Sequence, residues 1–287
     1  AAWPGLAHFL EHLFFLGTER FAGDEKLMSF VQRHGGQVNA STRERTTDFF
    51  FELPPARFAQ GLERLCDMLT HPRMTLPDQL REREVLHAEF IAWSRDAASR
   101  QQTQRLQGLS ARHPLRGFHA GNRYSLRVPD QAFQKALRDF YRRFYQAGQM
   151  KLCLTGPQSL EELRRLATLC GGYFVAGEKV KQALPPKLIE GEQLILNADS
   201  GLLFGCEQLP DGAGGAVAFM CHAINGSHAE GVGSFKAEVV YQFAGQVVIS
   251  VVCESAIASE LTPTAVASTH VLDWLSLFKA HWPTLRE

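Results

Sequence analysis

Apolar positions near the start of the chain recur with two different periods. In "GLAHFLEHLFFL", beginning at Gly5, they crowd most faces of a helix, and Gly17 with Thr18 stops it. "DEKLMSFVQRHGG" places Leu27, Phe30 and Val31 on one face of a second helix, closed by Gly35 and Gly36. The period then becomes two: "QVNAST" and "DFFFEL", β-branched and aromatic and parted by the polar "RERT", predict a strand pair. Helical spacing returns from Ala56 to about Thr70, apolar at Phe58, Leu62, Leu65, Cys66 and Leu69, and again in a long charged helix from Pro77 through Trp93.

Further along, "DQAFQKALRDFYRRFY" predicts an amphipathic helix, "MKLCLTG" a short buried strand, and "SLEELRRLATLCGG" a helix with a serine cap and a glycine stop. A strand feeding a helix implies a mixed α/β layer. Pro185 and Pro186 in "ALPPKLIEGE" mark a linker. Beyond it, "QLILNADSGLLFGCEQLP" reads as fresh strands, "VVYQFAGQVVISVVCE" as a hairpin turning near Gly245, and "TAVASTHVLDWLSLFKAHW" as a terminal helix. The expected architecture is α/β (α+β) in two domains, residues 1–184 and 185–287, each a mainly antiparallel sheet with helices packed on one face.

The composition, 45% hydrophobic and 21% charged over 287 residues, is that of a folded globular chain. Thirty basic residues balance thirty acidic ones, so no electrostatic footprint for nucleic acid or an anionic membrane is present. Cys66, Cys153, Cys170, Cys206, Cys221 and Cys253 lie scattered in apolar stretches without CxxC spacing, which predicts buried free thiols and a reducing, cytoplasmic compartment, with a periplasmic one left open. No membrane-length apolar run and no signal-peptide pattern is found. The abrupt opening, with the candidate site a few residues in, leads us to expect a natural N-terminus further upstream.

That candidate site is His8, Glu11 and His12. At about 100° per residue, side chains four apart share a helix face, so the two imidazoles form a two-point grip on a metal. Glu11 lies on the neighbouring edge, within reach of a metal-bound water. The pattern is H-x-x-E-H, the inversion of the H-E-x-x-H zincin motif. Burying these polar groups in "LAHFLEHLFFL" would be costly without partners, and a metal offsets that cost. A catalytic zinc needs three protein ligands and an open position. The third is sought in "LREREVLHAEFIAW", where Glu82 and Glu89 share a face and Glu84 points elsewhere; on such a charged helix, solvated carboxylates are the ordinary alternative. A closed structural zinc site would need a fourth ligand. His87, two residues before Glu89, is expected to face away.

Together "GLAHFLEHLFFLGTERF", "HGGQVNASTRERTTDFFFELP" and "EREVLHAEF" resemble the pitrilysin or insulinase family of zinc metallopeptidases, over roughly residues 3–175. In that family a glutamate follows the second motif histidine with 76 residues between, and Glu89 stands at that spacing from His12 (13 to 88 lie between). The resemblance implies that His8, His12 and Glu89 bind Zn2+, that Glu11 is the general base, and that Glu82 supports the site. It further implies that Asn39 and Ala40 contact the backbone of a peptide substrate added to a sheet edge. Ligands of this kind would also accept manganese or cobalt. "HPLRGFHAGNRYSL" resembles the family as well, in a structural role that leaves His113 and His119 without chemistry. Full-length relatives carry four homologous domains that close as two halves round the peptide. A C-terminal half or partner subunit is therefore expected to complete this chain, and nucleic acid and membranes are not expected partners. The other reading is a non-catalytic peptide-binding subunit of a two-part assembly.

Overall fold

The computed structural model describes residues 3–180, 183–188, 195–197, 201–207, 209–210, 212–225, 228–229 and 233–254. They fall into two compact units. The first runs from the start of the chain to Trp93 and from Phe118 to Gln182; the second takes Ser94–Gly117 and the chain from Ala183 onward.

In the first unit, α1 (Leu6–Phe14) is followed by α2 (Leu27–Arg33), the antiparallel pair β1 (Gln37–Thr42) and β2 (Thr47–Glu52), α3 (Pro55–Thr70) and α4 (Leu76–Arg95). After α5 (Ala97–Leu106), which belongs to the second unit, come α6 (Gln131–Phe144) and α7 (Leu160–Gly171). Helix α1 is the centre of the core: Phe9, Leu10, Leu13 and Phe14 retain no exposed surface. At about 1.5–3 kcal/mol for each such side chain, burial rather than helix propensity fixes α1 in place. The Phe9 ring lies 5.9 Å from Phe133 of α6, and Phe14 lies 5.5 Å from Phe49 of β2 and 4.7 Å from Tyr145. Strand register pairs Val38 with Phe51, Ala40 with Phe49 and Thr42 with Thr47, so these six share the sheet face turned to the core.

The expected strand "MKLCLTG" is a correction. Residues 150–155 form no ladder, and Leu152 and Cys153 are exposed. A strand exists only where a partner takes its N–H and C=O groups, and among the described residues β1 and β2 pair with each other alone. Exposure of Cys153 also departs from the expectation of buried thiols, which holds for Cys66, Cys170 and Cys221; the side chains of Cys206 and Cys253 lie outside the described residues. The serine cap of α7 is present, Ser159 Oγ accepting from the Glu162 amide at 3.2 Å.

The second unit holds β3 (Ile195–Asn197), β4 (Gly201–Cys206), α8 (Gly214–Asn225), β5 (His228–Ala229), β6 (Gly233–Phe243) and β7 (Gln246–Glu254). Its sheet is antiparallel throughout, in the order β3-β4-β7-β6-β5. The hairpin expected near Gly245 turns at Ala244 and Gly245, both at positive φ, the backbone form that matches the twist of the flanking strands. Val247, Ile249 and Val251 pack with Val217 and Cys221 of α8, while Val248 packs with Leu109, Leu115 and Leu203. The latter contacts draw Ser94–Gly117 into this unit, so the first compact unit is not the contiguous stretch 1–184. Helices α5 and α8 were not expected from the sequence. The terminal helix expected over 264–282 lies outside the described residues. Among the described residues no helix is long and apolar enough to cross a membrane.

Candidate metal centre

His8 and His12 of α1 meet Glu82 and Glu89 of α4 beside one face of α1. His8 and His12 sit one turn apart with ring centroids 4.7 Å apart and nearly perpendicular planes. Their Nε2 atoms are 3.2 Å apart, and Glu89 Oε2 on α4 lies 3.9 Å from His8 Nε2 and 3.6 Å from His12 Nε2. Ligand atoms arranged tetrahedrally about an ion at 2.0–2.1 Å stand about 3.3–3.4 Å apart, so the triangle is close to the one a bound cation requires.

The outer ring nitrogens explain why both Nε2 atoms point inward. His8 Nδ1 donates to the Ala120 carbonyl at 2.7 Å, and His12 Nδ1 donates to Glu82 Oε1 at 2.9 Å. Neither partner can donate back, so each neutral imidazole carries its proton on Nδ1 and presents a lone pair at Nε2. Two lone pairs facing each other at 3.2 Å repel. A cation between them, with the Glu89 carboxylate as third donor, removes the repulsion, and the donor set fits a divalent metal. Burial of His12 opposes its charged form, but the hydrogen bond it donates to Glu82 and the charges of Glu89, Glu82 and Glu11 outweigh it and hold the imidazole pKa above its ordinary value.

Glu11 is buried and points toward β1, where the Thr42 hydroxyl donates to its Oε2. Thr42 Oγ1 lies 3.1 Å from Thr47 Oγ1, and Thr47 is in turn hydrogen-bonded to Tyr145. Burial pushes the Tyr145 phenol up, and the Glu11 charge acts in the same direction. Sequence reasoning missed Thr42, Thr47, Tyr145 and Ala120. Thr42 carried a signal, the even position of a strand whose Val38 and Ala40 face the core, and Thr47 stands opposite it on β2; Ala120 acts through its backbone and carried none.

Asn39 is exposed, on the strand face opposite to Thr42, and its Oδ1 accepts from the Ala40 amide at 2.9 Å. Ala40 is half-buried beside the core. Neither belongs to the donor cluster. His87 also stands apart from it, its ring stacked on Phe90 and edge-on to Tyr124. Glu84 turns away to Arg83 and Arg123. His113 is buried in the second unit, where its Nδ1 accepts from the Leu115 amide and its ring meets Tyr241 edge-on.

Residues 1–114 match the family described as insulinase, peptidase family M16. The coenzyme PQQ synthesis protein F of Pseudomonas syringae pv. tomato is 57% identical over 298 aligned positions, covering 100% of this chain and 38% of that protein. Protease 3 of Escherichia coli is 32% identical over 194 positions, covering 67% of this chain and 20% of that protein. The chain thus spans little more than a third of the length of the first of these relatives and a fifth of the second. A crystal structure of pitrilysin superposes with a TM-score of 0.68 at 23% identity, over 88% of this chain and 29% of that one, which shows a shared fold. With the match falling on the segment that carries both histidines, the strand pair and the glutamates of α4, the chain belongs to the insulinase family of peptidases, family M16.

Proposed function

We propose that this chain is the metal-bearing part of a zinc-dependent endopeptidase that cleaves small peptides, in particular the precursor peptide PqqA of pyrroloquinoline quinone biosynthesis. The observation that carries the reading is the convergence of His8 Nε2, His12 Nε2 and Glu89 Oε2, each histidine held in the ligating tautomer from behind. The names of the PQQ synthesis relatives support the pathway, and a peptide of that pathway is the substrate class proposed.

Zinc held by His8, His12 and Glu89 would supply Lewis acidity, bringing the pKa of a water toward neutrality and polarising a peptide carbonyl. Glu11 takes the proton of the attacking water and returns it to the leaving amine, so one carboxylate serves as base and then acid. Thr42 ties down one Glu11 oxygen and leaves the other for that exchange. Glu82 keeps His12 aimed. The peptide would lie in extended form along β1, whose second edge is unpaired among the described residues, with Asn39 and Ala40 against its backbone. All residues with a role precede position 184. Residues from 185 onward would belong to a second domain of the same kind, and a C-terminal half or partner subunit would close over the peptide.

The test is elemental analysis and peptide cleavage with the chain completed by its C-terminal half. Wild type should hold about one zinc per chain, Glu89→Ala should lose it, and Glu11→Gln should retain zinc and lose turnover. Zinc-loaded wild type that binds PqqA without cleaving it would replace this reading with that of a non-catalytic peptide-binding subunit.

A further inference from the structure

His8 owes its orientation to a loop rather than to a side chain. The carbonyl of Ala120 lies in "FHAGN", and it reaches α1 only because two glycines meet. Gly5, which precedes α1, has φ 86°, and a Cβ there would stand 2.2 Å from Gly121 Cα and 2.5 Å from Gly121 N. Gly121 has φ 81°, and a Cβ on it would meet Leu126 Cδ1 at 3.1 Å and Gly5 Cα at 3.2 Å. Positive φ therefore favours glycine at both positions, and at Gly5 the backbone-to-backbone contact demands it as well. Immediately after them Asn122 Oδ1 accepts from the amides of Tyr124 and Ser125, both at 2.9 Å, which fixes the course of the chain leaving the contact.

We infer that Gly5 and Gly121 are positioning residues for the metal centre: their contact delivers the Ala120 carbonyl to His8 Nδ1 and thereby locks His8 in the tautomer that ligates through Nε2. The inference rests on the metal-centre reading above. Without that acceptor the His8 ring can place its proton on Nε2, which cannot bind a cation, or rotate away from His12. His12 needs no such device, because Glu82 holds it through a side chain.

The experiment compares Gly121→Ala, Asn122→Ala and Gly35→Ala in the full chain. Gly35 has φ 72° with nothing within 4 Å of an added Cβ, so its alanine variant carries backbone strain of the same kind away from the loop. Zinc affinity is read by competition with a chromophoric chelator, and the His8 tautomer by imidazole nitrogen NMR on the metal-free protein. Gly121→Ala should weaken zinc binding about tenfold to a hundredfold and convert His8 from Nδ1–H to a mixture. Asn122→Ala should act in the same direction more weakly, and Gly35→Ala should leave both readouts as in wild type. Zinc affinity and tautomer unchanged in Gly121→Ala would overturn the inference, as would an equal loss in Gly35→Ala, which would mark a general loss of stability. Should wild type bind no zinc, the metal reading fails. The His8 tautomer in the metal-free variants still decides what the glycines do.

Discussion

At the scale of single residues, the centre is legible where a side chain does the work and silent where the backbone does. His8, Glu11 and His12 declare themselves because helical spacing puts positions four apart on one face, and Glu89 because the resemblance to the insulinase family implies a glutamate at that spacing. Thr42 becomes interpretable only once β1 is known to turn its even positions inward, bringing the hydroxyl to Glu11. Two substitutions separate holding the metal from using it. Glu82→Ala should cost about tenfold to a hundredfold in zinc affinity, measured by chelator competition, because it releases His12 Nδ1. Thr42→Val should keep zinc in full yet lower kcat by about tenfold or more, since a general base gives its factor of 10²–10⁴ only when positioned; Thr42→Ser should restore it.

At the scale of elements, α4 is what presents Glu82 and Glu89 to α1, and its start is anchored. The Thr75 hydroxyl donates to Asp78 Oδ2 at 2.7 Å, and the Asp78 amide donates back to Thr75 Oγ1 at 3.3 Å, which closes the first turn. The Thr75 hydroxyl, then the Arg81 hydrogen bond and the Arg73 and Arg81 charges, hold the Asp78 carboxyl below the usual carboxylate range against the opposing effect of burial. A carboxyl depressed in the fold contributes stability that is present above its unfolded value of about 4 and is lost as pH falls through the folded value. Asp78→Asn should therefore melt lower than wild type at pH 7, with the gap closing below about pH 4 in thermal melts taken across pH. This capping was hidden in the sequence by the proline at position 77, which drew the expected helix start past Thr75. "MKLCLTG" failed for the opposite reason: its composition is that of a strand, but pairing is a property of neighbours, which composition does not carry.

At the scale of the whole molecule, the two compact units have separate hydrophobic cores, and every donor of the centre lies in the first. A metal that binds only the folded form stabilises it by about 2.7 kcal/mol at a hundredfold excess over Kd. In calorimetry, zinc should raise the melting transition of the first unit and leave that of the second in place, and His8→Ala should abolish the shift. Leu109 and Leu115 of the stretch 94–117 are buried against Leu203 and Val248 far along the chain, and such membership of a core is not carried by sequence order. Sequence distance matters also within the centre. His8 and its carbonyl partner are 112 positions apart, and His12 and Glu82 are 70 apart, whereas the two histidines are neighbours on one helical turn. During synthesis from the N-terminus the histidine pair emerges from the ribosome long before anything that orients it. Under the proposed zinc reading, a nascent chain would offer only a loose two-imidazole grip that exchanges its ion readily, and tight capture would wait until Glu89 and then residue 121 had emerged and docked. Selection of the metal would then fall to the finished fold rather than to whichever ion the growing chain meets first.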